Sequence, residues 1–418
     1  MASVSHAAAT AAPSRTSYRH LFAFLLLISL LPPSAYAGVS PDDRAALWEL
    51  YQLTSGASWK RNENWSPDSD PCHFSGRWVG VGCIDPCMRF YDGGAACQLG
   101  RITSITLDFN DLAGDITNWH GVGNLTNLTL LEMTGNSIAG QLPTELGRIQ
   151  NLEGLMMMSN NLGGTLPTEL GAINSHGHVN LHEITLAFNS ISGSIPTTIG
   201  VHAQLAALNL RDNQLVGELP TELAMLGRLE VLYAHNNAEL GGTLPQQMGS
   251  LTTLRYLDLT RCAVSGTVPA SIGGASLLQA LHLEKNALSG SLPEELCHLR
   301  ILRTLKLDSN RLEGSIPEGI GNLSSLVVLD LYNNSFIGDV PSSIRHLINL
   351  EELYLDKQHL LPLRRHYCGQ RLPDMGKYSW RAIRDNYDLY MSSYCPEDRL
   401  HSTEYAFSTL QDSGVYEM

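Results

Sequence analysis

From about Leu128 to Pro341, apolar and polar positions recur in one fixed order, L-x-x-L-x-L-x-x-N-x-L-x-G-x-I/L/V-P. Leu205, Leu208, Leu210, Asn213, Leu215, Gly217, Leu219 and Pro220 fill it in one unit. Leu302, Leu305, Leu307, Asn310, Leu312, Gly314, Ile316 and Pro317 fill it in another. The asparagine position sets the register. It falls at Asn110, Asn136, Asn160, Asn189, Asn213, Asn237, Cys262, Asn286, Asn310, Asn334 and Gln358, giving about eleven units, the last incomplete, most of them 24 residues apart. Longer steps separate Asn160 from Asn189 (29 residues) and Asn237 from Cys262 (25 residues). Self-similarity at this period predicts an elongated stack of coils, not a ball around one core.

Each unit predicts its own local structure. The x-L-x-L stretch alternates as a short strand does, with leucines to one side and variable residues to the other. One coil cannot bury those leucines; the next must stack against it. The asparagine turns the chain out of the strand inside the stack, where a buried amide needs partners, so a ladder of asparagines bonded to backbone groups is expected. Cys262 fits that slot as a small, weakly polar residue. The glycine opens backbone conformations closed to other residues, and the proline fixes φ and removes a donor.

Both ends depart from the period. Ser40-Pro41-Asp42-Asp43 reads as a helix start, with Ala46, Leu47, Leu50 and Leu53 as its apolar face. Trp48, Trp59, Trp65 and Trp78 crowd the same region, as a packed cover for the first coil would. Beyond Leu360, Trp380, Ile383, Tyr387, Tyr390 and Tyr394 recur at helical spacing, which predicts a C-terminal cap. The expected organisation is a signal peptide at 1–37, a helical, disulfide-bonded cap at 38–100, repeats at 101–362, a second cap at 363–395 and a loose tail at 396–418.

The first residues point to secretion. Arg15 and Arg19 precede an apolar run, Leu21 to Leu31, broken only by Ser29, and Ala35-Tyr36-Ala37 offers a small-residue cleavage pattern. A plastid transit peptide would share the Ala- and Ser-rich, acid-free start, but not the leucine run. That run is too short to cross a bilayer and no later segment reaches the necessary length, so a free extracellular protein is expected rather than a transmembrane receptor. Cysteine placement agrees. Cys72, Cys83, Cys87 and Cys97 precede the repeats, and Cys368 and Cys395 follow them, as staples at the open ends of a stack. Four cysteines allow three pairings; the shortest loops join Cys72 to Cys83 and Cys87 to Cys97, and the last two close the C-terminal cap. Their spacing lacks the two C-x-x-C arms of a zinc site, so no metal is expected. Cys262 and Cys297, inside the ladder and on the outer convex side, should be unpaired. Five N-x-S/T sequons, Asn64, Asn124, Asn127, Asn322 and Asn333, are candidate glycosylation sites.

The unit L-x-G-x-I-P, together with Cys72, Trp78, Gly80, Val81 and Cys83 in a C…W-x-G-V-x-C arrangement, resembles plant-type leucine-rich repeat proteins. These include receptor-like kinase ectodomains and the secreted polygalacturonase-inhibiting proteins. The resemblance spans roughly residues 41 to 362. It implies an α/β solenoid, a right-handed leucine-rich repeat superhelix with a concave parallel sheet and a second short strand around L-x-G-x-I-P. It also implies that Cys72 pairs with Cys83 and that the chain recognises a ligand.

Chemistry is not foreseen. G-x-S-x-G, H-E-x-x-H and P-loop motifs are missing from the sequence. His176, His178, His182 and Glu183 lie around the 29-residue step at no recognised ligand spacing and read as a polar insertion. No enzyme and no cofactor are expected. The formal net charge of −14 argues against nucleic acid, which selects basic surfaces. Binding is expected on the concave strand positions, whose C-terminal half is richer in aromatic and charged residues: Tyr233, His235, Asp258, Arg261, His282, Lys285, Lys306, Tyr332 and Tyr354. Strands about 4.8 Å apart make the surface on the order of 50 Å long, suited to an extracellular protein, peptide or glycan and poorly suited to a small metabolite. A membrane co-receptor is a further candidate partner. The alternative role is inhibition of a secreted cell-wall hydrolase such as a polygalacturonase; side-by-side adhesion of solenoids is a third.

Overall fold

The computed structural model describes residues 39–73, 76–84, 100–173 and 181–355, and the backbone of 359–360. The expected signal peptide, the C-terminal cap and tail, Cys87, Cys97, Cys368, Cys395, His176, His178 and Gln358 lie outside the described residues. The chain is a leucine-rich repeat solenoid. Among the described residues its main sheet has 12 strands. The first, β1 (Val81–Ile84), runs antiparallel to β2 (Arg101–Thr106). The other 12 − 1 = 11 are the parallel strands of successive coils, one per asparagine position.

Each coil follows its sequence. In the unit around Asp258, Leu257 and Leu259 are each 1% exposed and point into the stack, while Tyr256, Asp258 and Thr260 alternate outward. The implied second strands are present: Ala287–Gly290 pairs in parallel with Ser265–Gly266 and with Arg311–Gly314. Gly290 adopts φ +73°, and a Cβ there would meet Thr267 Cγ2 at 2.9 Å, so only glycine lets these coils approach. On the convex side the chain turns in single 3-10 turns such as Thr221–Met225, begun by the proline before them. Cys297 lies in one of these convex turns, Glu294–His298, as expected, and is 2% exposed because it packs against Gly319 of the next convex turn. Cys262 and Cys297 are both free and buried. Burial pushes their thiols up to about 11 and about 12, so neither supplies a thiolate at neutral pH.

The asparagine ladder forms. Asn237 Nδ2 donates to Ala234 O of its own coil at 2.8 Å and to Leu210 O of the preceding coil at 3.1 Å. Its Oδ1 accepts from Leu215 N at 2.9 Å. The same pattern holds at Asn160, Asn213 and Asn334. It also survives the 29-residue step, because Asn189 Oδ1 still accepts from Leu162 N at 3.0 Å. At the first rung the N-terminal cap supplies the missing coil: Arg61 N donates to Asn110 Oδ1 at 2.7 Å and Arg61 O accepts from Asn110 Nδ2 at 2.9 Å.

Cys262 interrupts the ladder without leaving an orphan. Elsewhere the donor two residues after an asparagine bonds to the next asparagine's Oδ1. In the 25-residue step one extra residue precedes Leu240, and Leu240 N instead donates to Asn237 O at 3.0 Å. The insertion and the cysteine therefore compensate one another.

The N-terminal cap is built from α1 (Pro41–Leu53) and an aromatic cluster. Ser40 Oγ accepts from Asp43 N at 3.0 Å, and Leu47 and Leu50 are fully buried. The Trp65 and Trp78 rings lie 4.6 Å apart, and those of Trp59 and Trp65 4.9 Å apart. Cys72 and Cys83 form a disulfide that ties this loop to β1. Trp119, which its sequence context does not mark as a cap residue, is fully buried and docks the first coil on α1 through a 2.8 Å bond from Nε1 to Ala46 O.

Two stability predictions follow from the ladder. Asn237→Leu removes the partners of three backbone groups and should cost about 2–4 kcal/mol in thermal or urea unfolding. Cys262→Asn, although it restores the repeat consensus, should give no gain, because no donor awaits its Oδ1; a clear rise in melting temperature would contradict this.

Candidate functional site

Strand register, not sequence proximity, assembles the concave face. Tyr233 pairs with Asp258, Asp258 with His282, His282 with Lys306, Lys306 with Asp330, and Asp330 with Tyr354. Five of the residues singled out in the sequence, Tyr233, Asp258, His282, Lys306 and Tyr354, thus share one row across six adjacent strands. His235 flanks that row, its ring centroid 6.1 Å from that of Tyr233. Tyr332 also flanks it and donates its backbone N–H to Asp330 Oδ1 at 3.1 Å. Arg261 and Lys285 are placed differently. They occupy the turn just before the ladder position, with φ of 53° and 57°, and so lie beyond the row.

Asp258 is the most tightly held carboxylate of the face. Its Oδ1 accepts from Thr260 Oγ1 at 2.6 Å and from Thr260 N at 2.9 Å. Its Oδ2 lies 3.1 Å from His235 Nδ1 and 3.7 Å from His282 Nδ1. The His235 nitrogen is at hydrogen-bond distance but off a good hydrogen-bond line, so that contact is mainly electrostatic. Burial raises the carboxyl's proton affinity, yet the contacts from His235, His282 and Thr260 outweigh it and hold the group well below the usual carboxylate range. His282 Nε2 is fixed in turn by Thr304 Oγ1 at 2.9 Å. Thr260 and Thr304 set the orientation of this cluster, and the sequence gives no signal for them beyond their outward strand positions.

Asp330 has the opposite surroundings. Burial is the largest influence on it; the Tyr332 N–H works against burial, and Asp308 and Glu284 reinforce it, so that the carboxyl is pushed up to about 6. The N-terminal half of the face repeats the theme: burial, then Asp108 and Glu183, raises Glu132. Two exposed aromatics, Phe109 (67% exposed) and Phe188 (43%), sit in the same turn column as Arg261 and Lys285, at φ of 50° and 54°. Arg211 lies over the Phe188 ring at 4.7 Å. Their signal in the sequence is the position before Asn110 and Asn189, which the strand columns leave out.

The face is open. A shallow groove at the edge where the chain enters its last strands, lined in part by Gln279, Ile301, Arg303, Val327 and Glu351, does not enclose a small molecule. Among the described residues no cluster of three or more metal-ligating side chains is found, and no helix is long and apolar enough to cross a membrane.

Comparison with known proteins agrees with this architecture. A model of the leucine-rich repeat region matches residues 242–357. The calmodulin-binding receptor kinase CaMRLK of Arabidopsis thaliana is 30% identical over 168 residues, which are 39% of this chain and 20% of that protein. Among solved structures, the plant peptide hormone receptor RGFR1 in complex with RGF2 is 33% identical with a TM-score of 0.52, over 58% of this chain and 42% of the receptor chain. The Arabidopsis receptor kinase HAESA, in complex with the peptide hormone IDA and the co-receptor SERK1, is 26% identical with a TM-score of 0.57, over 77% of this chain and 54% of that chain. The chain thus spans a fifth of the curated relative and about half of each receptor chain. A plant ice-binding protein, 21% identical with a TM-score of 0.55, shares the fold alone. The chain resembles plant leucine-rich repeat receptor ectodomains.

The raised carboxyl gives a pH prediction. Asp330 binds its proton more tightly in the folded state than at its ordinary value of 3.8, so its charge destabilises the fold above pH about 6 and ceases to do so as the pH falls toward 4. Asp330→Asn keeps an acceptor for Tyr332 N–H. It should stabilise the chain at pH 7.5 by about 1 kcal/mol, a figure reduced for partial solvent screening, and bring no benefit at pH 4. Melting curves at the two pH values check it.

Proposed function

We propose that the chain is a secreted recognition protein that holds an extracellular peptide or protein segment across its concave face, without chemistry. The observation that carries this is the row of Tyr233, Asp258, His282, Lys306, Asp330 and Tyr354 on six adjacent strands. Aromatic side chains bring contact area at small entropic cost, and fixed charges beside them give register. The complexes of RGFR1 with RGF2 and of HAESA with IDA support a peptide as the ligand class, and SERK1 beside HAESA supports a membrane co-receptor as companion. The solvent-open face favours a segment over a metabolite.

Asn64, Asn124, Asn322 and Asn333 are exposed and Asn127 is half-buried, so the sequons are sterically open to glycans in a secreted chain. Asn333 lies in the turn column beside Asp330 and Tyr332, where a glycan would border the ligand.

The test uses the secreted chain as bait in the extracellular fraction, beside a Tyr233→Ala, His282→Ala, Tyr354→Ala variant. The variant should lose the partner by at least about tenfold while its melting temperature stays close to that of the wild type, because none of the three side chains is in the core. A partner retained equally by both would place binding elsewhere, and a partner that proves to be a wall hydrolase inhibited at stoichiometric amounts would favour the inhibitor role. Mass spectrometry of the exported chain should find Gly38 at the N-terminus; an intact Met1 inside the cell would overturn secretion.

A further inference from the structure

The charges of the concave face are unbalanced. Outside the pocket where His235 and His282 meet Asp258, the carboxylates of Glu132, Glu284, Asp308 and Asp330 make no ion pair among the described residues. Among the described residues of the two outward strand rows, Arg211 and Lys306 are the permanent cations; Arg211 is engaged by Phe188 and lies 3.9 Å from Asp212, and Lys306 alone stands beside Asp330. Ser309 Oγ donates to Asp308 Oδ2 and Tyr332 N to Asp330 Oδ1, but hydrogen bonds from neutral groups leave the charges unbalanced on a half-buried surface, and a cation brought by a ligand would relieve that cost.

The imbalance is sharpest at the C-terminal end. The hydrogen bonds Lys285 N to Asp308 O and Ser309 N to Tyr332 O carry the strand register past the row, so Glu284, Asp308 and Tyr332 lie side by side, with Asp330 one step diagonal to them. Glu284 Oε2 is closed to water and has no hydrogen-bond partner among the described residues. That oxygen has lost its hydration without replacement. Asp330 is held up near 6 by burial and then by Asp308 and Glu284, although the Tyr332 N–H and Lys306, its partner in register, act against them, so one lysine leaves this group of carboxylates under-neutralised. Tyr332 and Tyr354 flank the carboxylates, and aromatic faces also attract cations.

We infer that the ligand of this face is a cationic peptide segment, and that Glu284, Asp308 and Asp330 receive a lysine or arginine side chain of it beside Tyr332 and Tyr354. This rests on the concave-face function above and narrows its ligand class. Arginine suits the site best, since its planar fork can bond two carboxylates at once. The overall net charge of −14 works in the same direction at long range, drawing basic segments to the face and repelling acidic ones.

A random twelve-residue peptide library displayed on phage and panned on the secreted chain tests this. The selected peptides should carry several times more lysine and arginine than aspartate and glutamate. A synthetic copy of a selected peptide should bind at least about tenfold more weakly to an E284Q/D308N/D330N variant, and more weakly to the wild type at high salt. The amide substitutions keep size and acceptors; the single D308N change gives a second variant, with a smaller loss expected. Selection of neutral or acidic peptides, or equal binding of a basic peptide to wild type and both amide variants, would overturn the inference while leaving the concave face as the binding site. Peptides retained equally by the Tyr233→Ala, His282→Ala, Tyr354→Ala variant would instead remove the concave face itself, and this inference with it.

Discussion

The whole molecule depends on one constraint: no coil can bury its own leucines or satisfy its own turn. Leucines such as Leu208, Leu232 and Leu257 are shielded only because an equivalent leucine lies one coil away. The asparagine ladder makes the same demand in polar form. Each amide bonds backbone groups of two coils at once, so a coil that slid along its neighbour would break hydrogen bonds inside a dry stack. Apolar stacking supplies the driving force, and the ladder supplies the register.

That register is what makes a surface out of scattered residues. Tyr233 and Tyr354 are 121 residues apart in the chain (354 − 233), yet they lie in one row because every intervening strand is locked at the same height. The face then gains chemistry from its neighbours. Asp258 stays ionised because two histidines and Thr260 surround it, whereas Asp330, of the same residue type and in the same row, is raised by burial and further by nearby carboxylates that Lys306 only partly offsets. The contrast arises from which side chain the adjacent coil happens to present, and it gives the face a balanced centre and an anionic end.

The caps show the same logic at an open end. The first ladder asparagine has no preceding coil, and a loop residue, Arg61, takes its place with both its N–H and its carbonyl. The raw edge of the sheet is closed by an antiparallel strand instead of another parallel coil. The exposed leucine face is covered by α1 and a group of tryptophans.

Periodicity alone determined the architecture. The spacing of leucine, asparagine, glycine and proline states what each position does in every coil, so the strands, the ladder, the place of Cys262 inside it and the outward-facing strand columns were legible in the sequence. Features that depend on contacts between coils were not. The compensation of Cys262 by an inserted residue before Leu240, the burial of Cys297 between convex turns, the docking role of Trp119, the exposed Phe109 and Phe188, and the displacement of Arg261 and Lys285 into the turn column each required knowing which atoms meet. A repeat fixes local conformation and the identity of the inward face, because these follow from side-chain period. It does not fix electrostatics, because charge acts across the 4.8 Å or so between neighbouring strands, and those neighbours lie about one full repeat away in sequence.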